Sequence, residues 1–282
     1  VKLIKSDELD KSSLEKIQRK LDIFIANKVK TLMPNLLTLA NDNKLRGGAA
    51  GFAHIFVNNL GVLMKSEVME QFNSIDNESK AKLRNFGIRF GYKTIYDTTL
   101  LKPEASRLRI ALFNVFCAIP ESALFHPPAG LVTVEYDKHI SKKQYLVAGF
   151  FVAGNRAIRI DMLERLFFMI KEYSKDEWIV IQPAMLSITG LGLEKFTELI
   201  RSLRFDIKHE KIEKGNEVIT FEKDDKHYKV LFKKQNINKK VKIKAASETF
   251  KKTKQNRKNR RTKKQMSTND SPFSLLKVLI KN

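Results

Sequence analysis

The densest chemical signal in this sequence is cationic. Between Lys233 and Gln265 stand fifteen Lys or Arg and one acid, Glu248, so the stretch carries 15 − 1 = +14 of the chain's net +22. A segment so charged and so poor in apolar residues cannot bury enough surface to offset the entropy of ordering it, which predicts a disordered tether. Its natural ligand is a phosphate backbone, and the candidate contacts are Lys251, Lys252, Lys254, Arg257, Lys258, Arg260, Arg261, Lys263 and Lys264. Neutralising ~8 phosphates of single-stranded RNA would give a log-log salt slope of roughly −6. Phe250 is the one aromatic of the run, so base stacking there is weak and sequence preference small.

A second basic set, Lys195, Arg201, Arg204 and Lys208 with Lys211, Lys223 and Lys226, falls where the chain has helix-turn-helix spacing followed by a hairpin. These residues would line one side of a winged-helix unit. Glu194, Glu198, Glu210 and Glu222 interrupt them, so an ordinary solvated surface accounts for them as well as nucleic-acid contact does.

Other chemistries find little support. An ATP site of the P-loop kind needs a glycine loop that follows a strand and closes on Lys-Ser or Lys-Thr. Gly47-Gly48-Ala49-Ala50-Gly51 has neither feature and is better explained by close helix packing, while Gly190-Leu191-Gly192 fits a tight turn between helices. Asp161 and Glu164 stand one turn apart, as a general acid and base could, but Arg156, Arg159 and Arg165 offer them ion-pair partners. His54, His126, His139, His209 and His227 show no ligand spacing. Cys117 is the chain's single cysteine, which rules out an internal disulfide, and its apolar neighbours predict a buried structural thiol. A small enzyme acting on a phosphorylated substrate would need converging acids or histidines, and none is legible. No metal or cofactor is expected in this chain.

The elements that must carry the basic residues are mostly helices. Leu14, Ile17, Leu21, Ile25, Val29, Leu32, Leu36 and Leu39 recur every three or four residues behind a capping box of Ser12 and Glu15, with a kink near Pro34. Further helices are predicted over 49–60, 77–84 and 103–117, the last with Leu108, Leu112, Val115 and Phe116 on its apolar face. The stretch 88–96 alternates as a strand or hairpin arm does. The Pro-rich segment 119–130 reads as a domain boundary. Beyond it come a strand over 131–134, a turn at Gly154, helices over 158–173, 183–189 and 194–203, and two strands over 217–222 and 227–232 joined at Asp224-Asp225.

The expected fold class is therefore mainly α with small β elements. It comprises a helical body over 1–120, a winged-helix-like domain over 121–232, a disordered basic tether over 233–269 and a short amphipathic peptide over 270–282, whose Phe273, Leu275, Leu276, Val278 and Leu279 suit docking on a protein partner. No run of eighteen apolar residues and no signal-peptide pattern occurs, so no membrane partner and a cytoplasmic location are expected. The start at Val1, already in helix-forming sequence, reads as the start of a fragment.

Several strings resemble a known family. Phe86-Gly87-Ile88-Arg89-Phe90-Gly91, Leu100-Leu101-Lys102-Pro103-Glu104-Ala105 with Arg107 and Leu108, and the run Arg156 to Leu166 resemble the C-terminal region of bacterial DExH-box helicases of superfamily two, related to the mitochondrial degradosome RNA helicase. The likeness extends through Pro183-Ala184-Met185, the segment 196–205 and the closing Asp270-Ser271-Pro272-Phe273. It implies an ATP-driven enzyme acting on RNA, with DNA as a further substrate, whose two RecA-like motor domains lie upstream in cis and hold the ATP and magnesium. None of the motor motifs occurs here, so this chain by itself is expected neither to hydrolyse ATP nor to unwind, and no family catalytic residue carries over. The alternative is a freestanding basic RNA-binding or ribosome-binding protein.

Overall fold

The computed structural model describes residues 10–128, 130–173, 178–212, 220–223 and 226–234. The tether residues from 235 onward, with the candidate contacts Lys251 to Lys264, and the peptide over 270–282 lie outside the described residues. The described part is mainly helical with three small antiparallel sheets, and it divides into two compact units between Phe167 and Phe168.

The first unit opens with α1 (Lys11–Leu32) and α2 (Pro34–Ala40). The cap of α1 is Asp10, whose carboxylate accepts from the Ser13 N–H at 3.3 Å, and not the expected Ser12–Glu15 box. Pro34 does more than kink the helix. It cannot donate the next backbone hydrogen bond, so the chain breaks at the buried Met33 and restarts with Pro34 at the first position of α2. Next come α3 (Gly47–Asn58), β1 (Val62–Met64), α4 (Met69–Asn73), α5 (Asn77–Asn85), β2 (Ile88–Phe90), β3 (Thr94–Asp97) and α6 (Pro103–Phe116). Strands β1, β3 and β2 pair in that order, and the expected hairpin over 88–96 is the β2–β3 pair, with Phe90 opposite Ile95.

The apolar face expected of α6 holds in part: Leu108 and Leu112 pack partly buried against the core, but the centre of the inward face lies to one side of them. Val115 is 80% exposed, while Ala105, Ser106, Arg109, Ile110 and Asn114 face inward. Cys117, at the end of this helix, is exposed and not buried as expected.

The chain continues through β4 (Thr133–Glu135), α7 (Lys142–Val147), β5 (Phe150–Ala153), β6 (Arg156–Arg159) and α8 (Ile160–Tyr173). The helix expected from residue 158 starts at Ile160, because Arg156–Arg159 forms the middle strand of the sheet β4-β6-β5. The turn at Gly154, with φ +61°, closes the β5–β6 hairpin. One core runs from Val29 and Phe52 through Leu83 and Leu100 to Tyr145, Phe150 and Ala157. The expected boundary near residue 120 therefore falls inside a continuous core, and the division comes after Phe167.

The second unit holds β7 (Ile179–Val180), α9 (Pro183–Thr189), α10 (Leu193–Ser202), β8 (Phe205–Ile212), β9 (Thr220–Lys223) and β10 (Lys226–Lys234). The Gly190 turn is left-handed, with φ +66°, and ends α9 as a glycine cap does. Strand β8 was not expected. It pairs along its whole length with β10, whose other edge takes β7 and β9. Lys233 and Lys234, assigned from sequence to the tether, are the last residues of β10.

Leu163 in α8 and Leu199 in α10 are 0% and 1% exposed. Replacing either by Ala is expected to cost about 3 kcal/mol, measured by urea denaturation. A loss near zero would show that these helix faces do not form the core.

Candidate nucleic-acid interface

The basic residues Lys195, Arg201, Arg204 and Lys208, expected to share one side of the second unit, divide between the helix α10, with the turn after it, and one face of the sheet. Helix α10 buries Phe196, Leu199, Ile200 and Leu203, which a helical period places on one stripe. At ~100° per residue, Glu194, Glu198 and Arg201 then share the middle of the solvent face, with Lys195 on its margin ~120° from Arg201. Lys195, Arg201, Arg204 and Lys208 are all exposed. The helix thus offers a phosphate backbone a strip of mixed charge, in which Arg201 stands among two acids.

Arg204 stands at the turn into β8 with φ +69°, the left-handed conformation that favours glycine, and its N–H donates to the Arg201 carbonyl at 2.9 Å. Arg204→Gly is expected to raise stability by about 0.5–1 kcal/mol while weakening nucleic-acid affinity if the side chain meets a phosphate. Thermal midpoint and affinity then move in opposite directions; if affinity is unchanged, Arg204 is no contact.

Lys208 belongs to a different surface. Residues directly opposite one another in an antiparallel ladder share a face, and successive residues alternate. Phe205 and Ile207 pair with Lys234 and Phe232, and Ile179 also pairs with Phe232. Phe205, Phe232, Val230 and Ile179 are buried on that face, with the Phe205 and Phe232 rings edge-to-face at 5.5 Å. Asp206, Lys208 and Glu210 alternate onto the other face, opposite Lys233, Leu231 and Lys229, with Val180 also opposite Leu231.

Trp178 precedes β7 and joins this second face. The Lys233 Nζ lies 4.8 Å and the Lys208 Nζ 5.8 Å from its ring centroid. Lys208 also reaches Glu210 at 3.8 Å, a long and partly exposed ion pair. Neither Trp178 nor Lys233 as a folded residue was found from sequence. The available signal was the alternation Phe205-Asp206-Ile207-Lys208, which marks β8 as a strand with one charged face.

The other candidates resolve as structure. Asp161 receives two hydrogen bonds from Arg159, at 2.7 and 2.8 Å, as expected of an ion pair. Glu164 has no arginine partner among the described residues. Its carboxylate accepts from the backbone N–H groups of Tyr92, Lys93 and Thr94 and from the Thr94 hydroxyl, the last three at 3.0, 2.8 and 2.8 Å. A Cβ at Gly48 would lie 3.2 Å from the Ser74 Oγ, but one at Gly47 or Gly51 would meet nothing within 4 Å, so the close packing expected of this stretch holds at Gly48 alone.

A cleft of about 50 Å³ between Pro103, Ser106, Arg107, Pro128 and Phe150 has Arg159 and Ser106 on its wall. Both are already engaged, Arg159 with Asp161 and the Ser106 hydroxyl as donor to the Ala148 carbonyl at 2.8 Å. Among the described residues no three His, Cys, Asp or Glu converge to hold a metal ion, and no helix is long and apolar enough to cross a membrane.

Compared with known proteins, the chain matches no family model, no curated protein and no solved structure.

Proposed function

We propose that this chain is a nucleic-acid-binding region that works beside an ATP-driven RNA-unwinding motor, with RNA as its ligand. The observation that carries the reading is the placement of charge: +14 of the net +22 lies in residues 233–265, directly continuous with the last strand of the second unit. Such a run attracts phosphate regardless of base sequence and releases counterions on binding. The helicase context is supported by the resemblance of Phe86 to Gly91, Leu100 to Leu108 and Arg156 to Leu166, strings that here form β2, the entry into α6 and the β6–α8 junction.

The order of the second unit also supports a winged-helix-like reading. The last residues of α8, a short strand, two helices joined by a Gly190 turn and a β-hairpin follow in sequence, and the short strand β7 adds to the hairpin strand β10. In this reading the region braces the motor and holds the emerging strand in the cytoplasm, and the peptide over 270–282 recruits a protein partner.

The test is binding of the full chain, and of a variant lacking residues 235–265, to labelled single-stranded and duplex RNA over a salt series. The full chain is expected to show a slope of roughly −6, and the deletion a much shallower slope with weaker binding. Absence of binding at modest salt would end the reading. Binding of unchanged slope after the deletion would move the site to the folded surface. Motor motifs encoded upstream of Val1 are expected; a complete gene without them would favour a freestanding RNA-binding or ribosome-binding protein.

A further inference from the structure

We propose that the face of the β7–β10–β8 sheet bearing Trp178 is a stacking platform for an unpaired base, with Lys208 and Lys233 receiving the phosphates that flank it. The inference rests on the nucleic-acid reading above and adds to it a site on the folded surface and a preference for single strands.

Three observations converge on Trp178. Ile179 and Ile181 are 6% and 2% exposed, so strand alternation sends Trp178 and Val180 to the opposite face, where Trp178 remains partly exposed. The two ammonium groups nearest its ring come from different strands, Lys208 of β8 and Lys233 of β10, both within 6 Å of the centroid at 5.8 and 4.8 Å. Strand β10 ends at Lys234, one residue beyond Lys233, and the cationic run follows directly in sequence. An RNA strand engaged by that run is tethered within a few residues of the ring.

The exchange on binding is favourable. Ammonium–ring contacts at partly exposed sites are weak, and lysine stems rotate at little cost. A base stacked on the ring gives more than the contacts it displaces, and each released ammonium can pair with a phosphate. Asp206 and Glu210 share the face, so its net charge is small and the platform contributes stacking while the run contributes the electrostatic attraction. A paired base cannot present its face to Trp178, so duplex RNA gains nothing from the platform.

Trp178 is the chain's one tryptophan, which makes its fluorescence a direct report on the site. The experiment titrates the full chain with oligouridylate, with duplex RNA of equal length and with heparin, following tryptophan emission and, in parallel, the anisotropy of a labelled oligouridylate. Emission is expected to be quenched by oligouridylate and to remain nearly unchanged with duplex or heparin. Trp178→Ala is expected to weaken oligouridylate binding about tenfold and duplex binding little, with Trp178→Phe retaining most of the affinity.

Anisotropy that reports binding without quenching would overturn the platform and leave the nucleic-acid reading standing. Equal quenching by heparin would also overturn it, since charge alone would then account for the signal. No binding by anisotropy would overturn both. Should Trp178→Ala fail to fold, the wild-type emission and Trp178→Phe still decide the question.

Discussion

Replacing Arg109 by Met is expected to destabilise the first unit by about 4 kcal/mol, and adding Asp97→Asn to that variant is expected to restore most of the loss. Both side chains are 1% exposed. The Arg109 Nη1 donates to the Leu100 carbonyl at 3.1 Å, while Nε and Nη2 have no hydrogen-bond partner among the described residues. The Asp97 Oδ1 accepts from the N–H and hydroxyl of Thr99 at 2.9 and 2.8 Å, and its Oδ2 is likewise without such a partner.

Burial pulls the guanidinium down to about 10, and Asp97 acts against that shift. Each charge is therefore tolerated inside because the other is near. Removing only the cation leaves a buried carboxylate whose desolvation is offset by the two Thr99 hydrogen bonds alone, whereas neutralising both removes the cost together with the attraction. Urea denaturation of the two single variants and the double closes a thermodynamic cycle. A coupling below about 1 kcal/mol would mean that Arg109 is held by the Leu100 carbonyl alone.

Glu164→Ala is expected to cost about 4 kcal/mol, by taking the acceptor from the buried N–H and hydroxyl of Thr94. Thr94 is 0% exposed, so its N–H and hydroxyl cannot turn to water when the carboxylate is gone. Gly91 belongs to the same arrangement, because a Cβ there would stand 2.3 to 2.6 Å from the carboxyl atoms of Glu164. Gly91→Ala should therefore be costly in the wild type and nearly silent when Glu164 is already Ala. Additive losses in the double variant would show that the two residues act separately.

Much of the helical layout was legible locally. Helices α3, α5, α9 and α10 lie within two residues of their expected bounds, because each is bracketed by a glycine, proline or capping acid that acts on its own few neighbours. The inward face of α6 was legible only in part. A period of apolar residues points to Leu108, Leu112, Val115 and Phe116, yet the fold turns Arg109 and Asn114 inside. Only the presence of Asp97 and the Leu100 carbonyl beneath the helix makes an interior arginine tolerable, and neither can be inferred from the helix. The β5–β6 hairpin was missed for a related reason: the apolar positions Ile158 and Ile160 continue smoothly into the period of α8, so strand and helix merge in one pattern.

By itself, then, the sequence determined where the charge lies, which segments are helical and where most of them start and stop, since these depend on composition and on neighbours within a turn. It also carried the exclusion of a P-loop, which requires a contiguous string. The tertiary structure alone decided which residues meet. Glu164 reaches backbone some seventy positions earlier, and Trp178, Lys208 and Lys233 come together from three separate segments. Contacts of that kind depend on strand register. A slip of one residue would turn Lys208 and Lys233 to the opposite face of the sheet, away from the tryptophan.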